Sequence, residues 1–226
     1  MTKRATRPRS RPVLATPNVP PQGLDSTQPA LALIEFASIA TGIQAGDAMV
    51  KKAPIARIVA GTVQPGHYLV LVSGEVADVE ESLKAGREVG GANVVDTVYL
   101  PQVHPSVVDA IAGGRDTKPG TALGVVETST VPAAIRSADA GIKGAQVALL
   151  EVRLADGLNG KGLTLFTGDV ADVEAAVAIG AGAIDPRTLT NQIIIPQIHP
   201  DMSPNVTTRT RFGPNVGQFW PWPSDE

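Results

Sequence analysis

The sequence carries an internal repeat, and this repeat constrains the fold more than any other feature. Residues 30–58 and 122–150 are identical at nine of 29 aligned positions, whereas chance matching would give about one position in fifteen. Two further blocks follow in the same order, with 74–80 matching 168–174 and 101–105 matching 196–200. Two copies are too few for a solenoid, so each copy is predicted to form a closed domain of roughly 80 residues.

Hydrophobic periodicity predicts the same six elements in both copies, four strands and two helices. In the first copy they lie at residues 30–36, 39–52, 55–63, 67–73, 75–90 and 94–100, and a short helix is predicted at 105–112. In the second copy they lie at residues 122–128, 131–143, 147–154, 161–167, 169–181 and 190–195. The order β-α-β-β-α-β predicts an α+β fold of two tandem ferredoxin-like (split β-α-β) domains, each with helices on one face of an antiparallel sheet.

Both helices of the first copy are predicted to be amphipathic. One face of the first helix is formed by Ile39, Ile43, Gly46 and Val50. The second helix is expected to turn three residues inward, which are Val76, Val79 and Leu83.

Composition separates the two copies from flanking segments. Residues 1–29 contain five basic residues and one acid among several prolines, which predicts a disordered basic arm. The rest of the chain has 14 basic and 21 acidic residues, so the arm could also dock on an acidic surface. The predicted domains are therefore 30–112 and 122–200, with a linker at 113–121 and a Pro-rich, aromatic tail at 201–226.

Composition also excludes several kinds of site and partner. The chain has no cysteine, so it can form no disulfide, no cysteine-ligated zinc or iron–sulfur site and no cysteine nucleophile. Its formal net charge of −3 gives no reason to expect binding to nucleic acid or to a membrane surface. No apolar run approaches the roughly 20 residues that span a bilayer. A soluble cytosolic protein is expected.

No catalytic constellation and no metal site is apparent in the sequence. His104 and His199 occupy equivalent places after the last strand of each copy. We expect each imidazole to cap backbone carbonyl groups there rather than to bind a metal. Asp47 and Lys51 are four residues apart on the first helix, as is the equivalent pair of the second copy, which is typical of a surface ion pair.

Four linked motifs occur in both copies. The first copy has Ala-Leu-Ala-Leu-Ile-Glu (30–35), Asp-Ala-Met-Val-Lys (47–51), Gly-Glu-Val-Ala-Asp-Val-Glu (74–80) and Leu-Pro-Gln-Val-His (100–104). The second has Ala-Leu-Gly-Val-Val-Glu-Thr (122–128), Ser-Ala-Asp-Ala-Gly-Ile-Lys (137–143), Gly-Asp-Val-Ala-Asp-Val-Glu (168–174) and Ile-Pro-Gln-Ile-His (195–199). In these motifs the sequence closely resembles bacterial microcompartment shell proteins. Their order resembles that of the tandem-domain, non-permuted subclass.

The resemblance implies a structural protein that is neither an enzyme nor the carrier of a cofactor. Three chains would form a homotrimer, a pseudohexameric tile of six domains with a central pore for small metabolites. Such tiles would pack with other shell proteins, hexamers and pentamers, into the shell of a cytoplasmic microcompartment. One tandem subclass holds an iron–sulfur cluster at its pore through cysteine, a role excluded here because the chain has no cysteine.

The resemblance also assigns the pore. In the family the pore is lined by the turn between the two middle strands. In this sequence the corresponding residues are Gln64, Pro65 and Gly66 in the first copy and Leu158, Asn159 and Gly160 in the second. Because His67 and Lys161 flank these turns, the expected opening is small and polar with a weakly positive rim.

The resemblance assigns the edge of the tile to four residues. The family places the lysine of the first helix at this edge, which corresponds to Lys51 and Lys143. The arginine of its Pro-Arg-Pro-His motif lies there too, but this sequence has Gln102 and Gln197 instead. A neutral amide in place of a planar guanidinium predicts edge contacts of different strength or geometry.

The tail and two alternative functions complete the predictions. Four of the eight aromatic residues lie in the last 15 positions, namely Phe212, Phe219, Trp220 and Trp222. This tail is expected to dock on the protein's own surface or on a neighbouring chain, with encapsulated cargo as the alternative partner. One rival function is a trimeric small-molecule sensor with a closed polar cleft between domains. The other is an enzyme whose catalytic residues meet only in three dimensions.

Overall fold

The computed structural model describes residues 30–116, 120–208 and 210–219. The predicted arm at 1–29 and the two tryptophans of the tail lie outside these residues. The described part forms two four-stranded antiparallel sheets with helices, which confirms the predicted fold class.

The first domain follows the predicted order of elements. Its elements are β1 (Ala30–Phe36), α1 (Ile39–Lys52), β2 (Arg57–Val63), β3 (His67–Gly74), α2 (Val76–Gly90), a 3-10 turn (Gly91–Asn93), β4 (Val94–Leu100) and α3 (Pro105–Ile111). The strands are ordered β2-β3-β1-β4 across the sheet. Strand β1 is therefore central and is buried on both faces, which is why its sequence is a nearly continuous apolar run.

The second domain repeats this arrangement and adds two short helices. Its elements are β5 (Ala122–Thr128), α4 (Val131–Gly144), β6 (Ala148–Leu154), β7 (Gly162–Gly168), α5 (Val170–Gly182) and β8 (Leu189–Ile195). The strand order is β6-β7-β5-β8. The tail then forms α6 (Ser203–Thr207) and α7 (Phe212–Phe219). The elements of both domains agree with the sequence-based segments to within two residues at each end.

Equivalent hydroxyl caps start the first helix of each domain. Ser38 Oγ accepts a hydrogen bond from the N–H of Thr41, and Thr130 Oγ1 accepts one from the N–H of Ala133. Such caps satisfy backbone donors that have no partner within the helix. The local sequence therefore fixes where α1 and α4 begin.

The two domains pack against each other along a seam that buries apolar residues from both. In this seam, α4 lies against β4, and α3 lies against β6. One continuous core cluster joins Leu33 and Val98 of the first domain to Val131, Ile135 and Leu149 of the second. The interior of the second domain is thus continuous with the outer face of the first sheet.

The apolar face predicted for α1 is not the face that packs on its own sheet. Gly42, Ala45 and Met49 are buried there together with Gly46. The approach to β3 is close, because a Cβ built on Gly42 would lie 2.6 Å from Tyr68 Cδ1. The other three residues of the predicted face, which are Ile39, Ile43 and Val50, are 39–55% exposed.

The prediction for α2 was correct for two residues and wrong for one. Val79 and Leu83 are buried as expected, whereas Val76 is 39% exposed. Val76 is the first residue of the helix.

Candidate functional site

The two turns predicted to line a pore lie next to each other. A Cβ built on Gly160 would lie 2.9 Å from Pro65 Cδ, so the turn of the second domain contacts that of the first. Asn159 and Gly160 adopt left-handed φ angles of 52° and 86°, a conformation that asparagine and glycine tolerate best. Gln64, Pro65, Gly66 and Asn159 are exposed, Leu158 is half-buried and Gly160 is buried.

Each basic residue beside these turns is paired with the glutamate of the domain's first strand. His67 Nδ1 lies 2.7 Å from Glu35 Oε1, and Lys161 Nζ lies 2.7 Å from Glu127 Oε1. The expected positive rim therefore needs correction, since a carboxylate stands opposite each base. The identity of Glu35 and Glu127 in the repeat was visible in the sequence, but their pairing across 32 and 34 residues was not.

Glu35 connects the first turn to the seam between the domains. Its carboxylate is fully buried and also accepts the N–H of Val131, the first residue of α4, at 2.9 Å. Burial raises the pKa of the Glu35 carboxyl, while the hydrogen bonds from His67 and Val131 oppose that shift. A negative charge at a helix N-terminus is favourable, so this carboxylate holds α4 against the first domain.

Polar contacts continue along the seam. Asp139 on α4 accepts the backbone N–H of His104 at 2.8 Å and pairs with Lys143 at 2.6 Å. Lys143 also donates to the carbonyl oxygen of Gln102. Asp139 is buried whereas Lys143 is 42% exposed, and the two residues are tied to the first domain through His104 and Gln102. The pair is therefore a partly buried junction at the seam rather than the surface pair expected from its spacing.

The start of α4 adds two more cross-domain bonds that the sequence did not reveal. Thr130 Oγ1 donates to Asp96 Oδ2 at 2.6 Å, and Arg136 donates to the carbonyl oxygen of Thr97 at 2.9 Å. Neither bond connects residues that are identical in the two copies, so the repeat gave no signal for them.

The equivalent pair on α1 is a surface ion pair, as predicted. Lys51 Nζ lies 2.5 Å from Asp47 Oδ2, and both side chains are mostly exposed. Gln102 and Gln197 are exposed as well. The structure thus brings Lys143 and Gln102 together within one chain, but it does not bring Lys51 to Gln197.

The prediction that the two equivalent histidines cap carbonyl groups was wrong. His104 Nδ1 accepts the N–H of Ser106, and His199 Nδ1 accepts the N–H of Asp201, both at 3.2 Å. These imidazoles sit where the chain turns into a helix, and such positions leave backbone donors rather than acceptors to be satisfied. Among the described residues, no group of three or more metal-ligating side chains occurs. No helix in the described part of the chain could span a membrane.

Comparison with known proteins gives one consistent result. The BMC domain family matches residues 30–103 and again residues 122–198. The chain is 37% identical over 174 residues to the bacterial microcompartment shell protein PduT of Citrobacter freundii, covering 76% of this chain and 95% of that protein. It is 25% identical over 222 residues to the carboxysome assembly protein CcmO of Synechocystis sp., covering 89% and 73% respectively.

A solved structure agrees with the sequence relatives. A crystallised microcompartment protein from Desulfitobacterium hafniense is 39% identical to this chain and superposes on it with a TM-score of 0.68. The match covers 78% of this chain and 98% of that protein. Family match, relatives and fold therefore agree with the tandem domains described above. The chain belongs to the bacterial microcompartment shell proteins, a structural family, and it carries two BMC domains in tandem.

Proposed function

We propose that the protein closes head to tail into a homotrimeric ring, a pseudohexameric tile around a central pore. The observation that carries this proposal is a mismatch between the copies. The seam buries surfaces of α4 and β4. The equivalent surfaces in the other copy, on α1 and β8, lie at opposite ends of the two-domain unit and are exposed. A repeated head-to-tail interface closes into a ring when its rotation permits, and three chains supply the six domains that the resemblance implies.

Apolar residues support the proposal. Ile39 and Ile43 on α1 are 39% and 55% exposed, whereas the equivalent Val131 and Ile135 on α4 are fully buried. On the opposite end, Ile193 on β8 is 45% exposed, whereas its equivalent on β4, Val98, is fully buried. Exposed apolar patches of this kind mark interaction surfaces. A second copy of this chain fits both patches, because the seam already packs their equivalents together.

Polar groups at the same two ends are complementary. By equivalence with the seam, Asp47 of one chain would accept the N–H of His199 in the next. Lys51 would likewise reach the carbonyl oxygen of Gln197. At the turn, Glu127 would accept the first N–H of α1, as Glu35 accepts that of α4. Ring closure would therefore bury Glu127, whose side chain is 30% exposed in the single chain.

The adjacent turns support the pore. If three chains close into a ring, Gln64, Pro65 and Gly66 would alternate around the axis with Leu158, Asn159 and Gly160. The opening would then have three-fold chemistry, with alternating His67–Glu35 and Lys161–Glu127 pairs behind its rim. We propose that small metabolites pass through it and that the protein catalyses no reaction itself.

The edge of the tile is assigned to Lys51 and Lys143 with Gln102 and Gln197. Both lysines keep exposed side chains, and Lys143 is 42% exposed although it bonds across the seam. Each lysine would thus strengthen a junction between two domains and present its remaining surface to the next tile. Contacts to other shell proteins are proposed to form along this edge.

Sedimentation equilibrium with two matched variants tests the ring. Wild type should have three times the chain mass of 23.3 kDa, and electron microscopy should show discs of six domains. Ile193→Glu should give folded monomers, because Ile193 is the equivalent of Val98, which the seam buries, and ring closure would have to bury the new charge. Ile179→Glu is the control, since Ile179 is similarly exposed on α5, and it should remain trimeric. A monomeric wild type, or a trimeric Ile193→Glu variant, would contradict the proposal.

A further inference from the structure

A groove of about 340 Å³ lies between the outer face of the first sheet and strand β6 of the second domain. Its apolar lining comes from both domains and consists of Val63, Leu69, Ala110, Ile111, Val152 and Leu154. Its charged lining consists of Arg115, Arg153, Arg211, Glu151 and Asp156. Arg115 pairs with Glu151 at 2.7 Å, so the groove combines an apolar floor with two further arginines and one further carboxylate.

The described part of the tail leads the chain to this groove. Val206 on α6 packs against Leu123, Leu150 and Leu165 on the outer face of the second sheet. Farther along, Thr210 donates to Glu151 at 2.7 Å and accepts from Arg153 at 3.3 Å. Arg211 then lines the groove itself. The next residue, Phe212, is 83% exposed, so it does not fill the space.

Two arginines of the groove are suited to an aromatic, acidic ligand. Arg153 donates to the Thr210 hydroxyl and to the carbonyl oxygen of Asp156, and both of these acceptors are uncharged. Arg211 is exposed. Arginine stacks favourably on indole rings, and free guanidinium groups attract carboxylates.

We propose that Trp220-Pro221-Trp222 of the same chain docks in this groove, with Asp225 and Glu226 near its arginines. The length of chain permits this, because α7 has eight residues and therefore advances by about 12 Å. The seven residues that follow, 220–226, can span about 23 Å in return, which is enough to reach the groove again. A proline fixes its own φ angle and limits the residue before it, so a sequence with two prolines loses less conformational entropy on docking.

Residues that line the groove precede both of the predicted pore turns in the sequence. Val63 precedes Gln64, and Leu154 and Asp156 precede Leu158. A docked tail would therefore lie at the approach to those turns. This inference needs only one chain, so it stands or falls independently of the ring.

Tryptophan fluorescence tests the docking directly, because the chain has only two tryptophans and both lie in this segment. In wild type we expect blue-shifted emission and an acrylamide quenching constant several-fold below that of the urea-unfolded chain. Arg211→Glu should raise the quenching constant towards the unfolded value by repelling the acidic end of the tail. Leu69→Gln, which makes the groove floor polar, should do the same. Trp220→Phe and Trp222→Phe then show which ring is protected.

Matched controls separate docking from unfolding and from other partners. Arg87→Glu makes the same charge change in the last turn of α2 and should leave the quenching unchanged. Circular dichroism must show that each variant is folded. Wild-type tryptophans that quench as in the unfolded chain would overturn the proposal. So would protection that Arg211→Glu and Leu69→Gln leave intact. Protection that disappears on dilution to monomers would assign the tail to a neighbouring chain and would also overturn it.

Discussion

Helices α1 and α4 occupy equivalent places in the two domains, yet α1 exposes the face that α4 buries. Ile43 is 55% exposed, whereas Ile135 is fully buried. The same contrast holds at the glutamates, because Glu35 is fully buried and the Glu127 side chain is 30% exposed. The folds of the two domains are alike, so the difference arises from position in the chain. This face of α4 is covered by the first domain, whereas the same face of α1 has no domain packed against it within the described part of the chain.

This comparison shows how a duplicated domain can encode assembly. Each domain keeps both halves of a head-to-tail interface, but a single chain can join only one pair of halves. The other pair of interface halves stays unpaired in the single chain. It consists of exposed apolar residues on α1 and β8 and of the partly exposed Glu127. Substitutions at equivalent positions should therefore act on different equilibria, since the seam stabilises the chain and the ends stabilise the proposed ring.

The largest difference is expected for Ile135→Asp against Ile43→Asp. A charge at Ile135 would be buried without a partner in the shared core, so the free energy of unfolding should fall by about 4 kcal/mol or more. Ile43→Asp should change the stability of the single chain by less than about 0.5 kcal/mol while abolishing the proposed trimer. Urea unfolding at low protein concentration and sedimentation measure the two effects. Equal destabilisation by both variants would contradict the comparison.

A smaller difference is expected for Asp139→Ala against Asp47→Ala. Asp139 is buried and accepts the His104 N–H as well as the Lys143 ammonium. Its loss leaves the His104 N–H without its acceptor, while Lys143 keeps its bond to the carbonyl oxygen of Gln102. We expect the single chain to lose about 2 kcal/mol. Asp47 pairs only with exposed Lys51 among the described residues, and Asp47→Ala should cost the monomer at most a few tenths of a kcal/mol. If the ring forms as proposed, the same variant should weaken trimerisation.

The sequence was sufficient to predict the fold because its signals are local. The apolar run of β1, the hydroxyl caps at Ser38 and Thr130 and the turn residues each depend on a few neighbouring positions. The repeat then supplied a second, independent reading of every element.

The contacts between domains could not be predicted in the same way. Periodicity identifies an apolar helix face, but it does not say whether that face packs on its own sheet or on another domain, as α1 and α4 illustrate. The bond from Thr130 to Asp96 joins residues 34 apart, and their equivalents in the other copy are Ser38 and Asn191. Register across the seam is a property of the folded chain, and no short motif records it.

A third comparison concerns pH and the buried Glu35. Burial raises the pKa of this carboxyl above its ordinary value of 4.5, although its hydrogen bonds to His67 and Val131 oppose the shift, and nearby Asp96 adds to it. The folded state therefore holds the proton more tightly than the unfolded chain. The free energy of unfolding consequently falls as pH rises from 4.5 through the raised pKa.

Glu35→Gln should remove this contribution. The stability of the variant relative to wild type should rise with pH, by about 1.4 kcal/mol for each unit by which the Glu35 pKa is raised. Urea unfolding between about pH 5 and about pH 8 measures the difference. Glu127→Gln is the matched control and should retain the contribution, because Glu35 is still present. Parallel pH profiles for wild type and Glu35→Gln would contradict the expectation.

The smallest effect on stability, and the most specific effect on assembly, is expected for the double variant Lys51→Ala, Lys143→Ala. The Lys51–Asp47 pair is exposed and contributes between zero and about 1 kcal/mol. Loss of Lys143 leaves buried Asp139 with the His104 N–H alone, so the single chain should lose about 1 kcal/mol in total, and the mass of the proposed trimer should be unchanged. Electron microscopy should nevertheless show fewer or smaller sheets, because both lysines are proposed to contact the next tile. The control variant Lys84→Ala, Arg187→Ala also removes two positive charges from exposed ion pairs, and it should form sheets normally. If the lysine variant forms sheets as well as the control does, these residues act only at the junctions between domains, and the edge must be assigned to other residues.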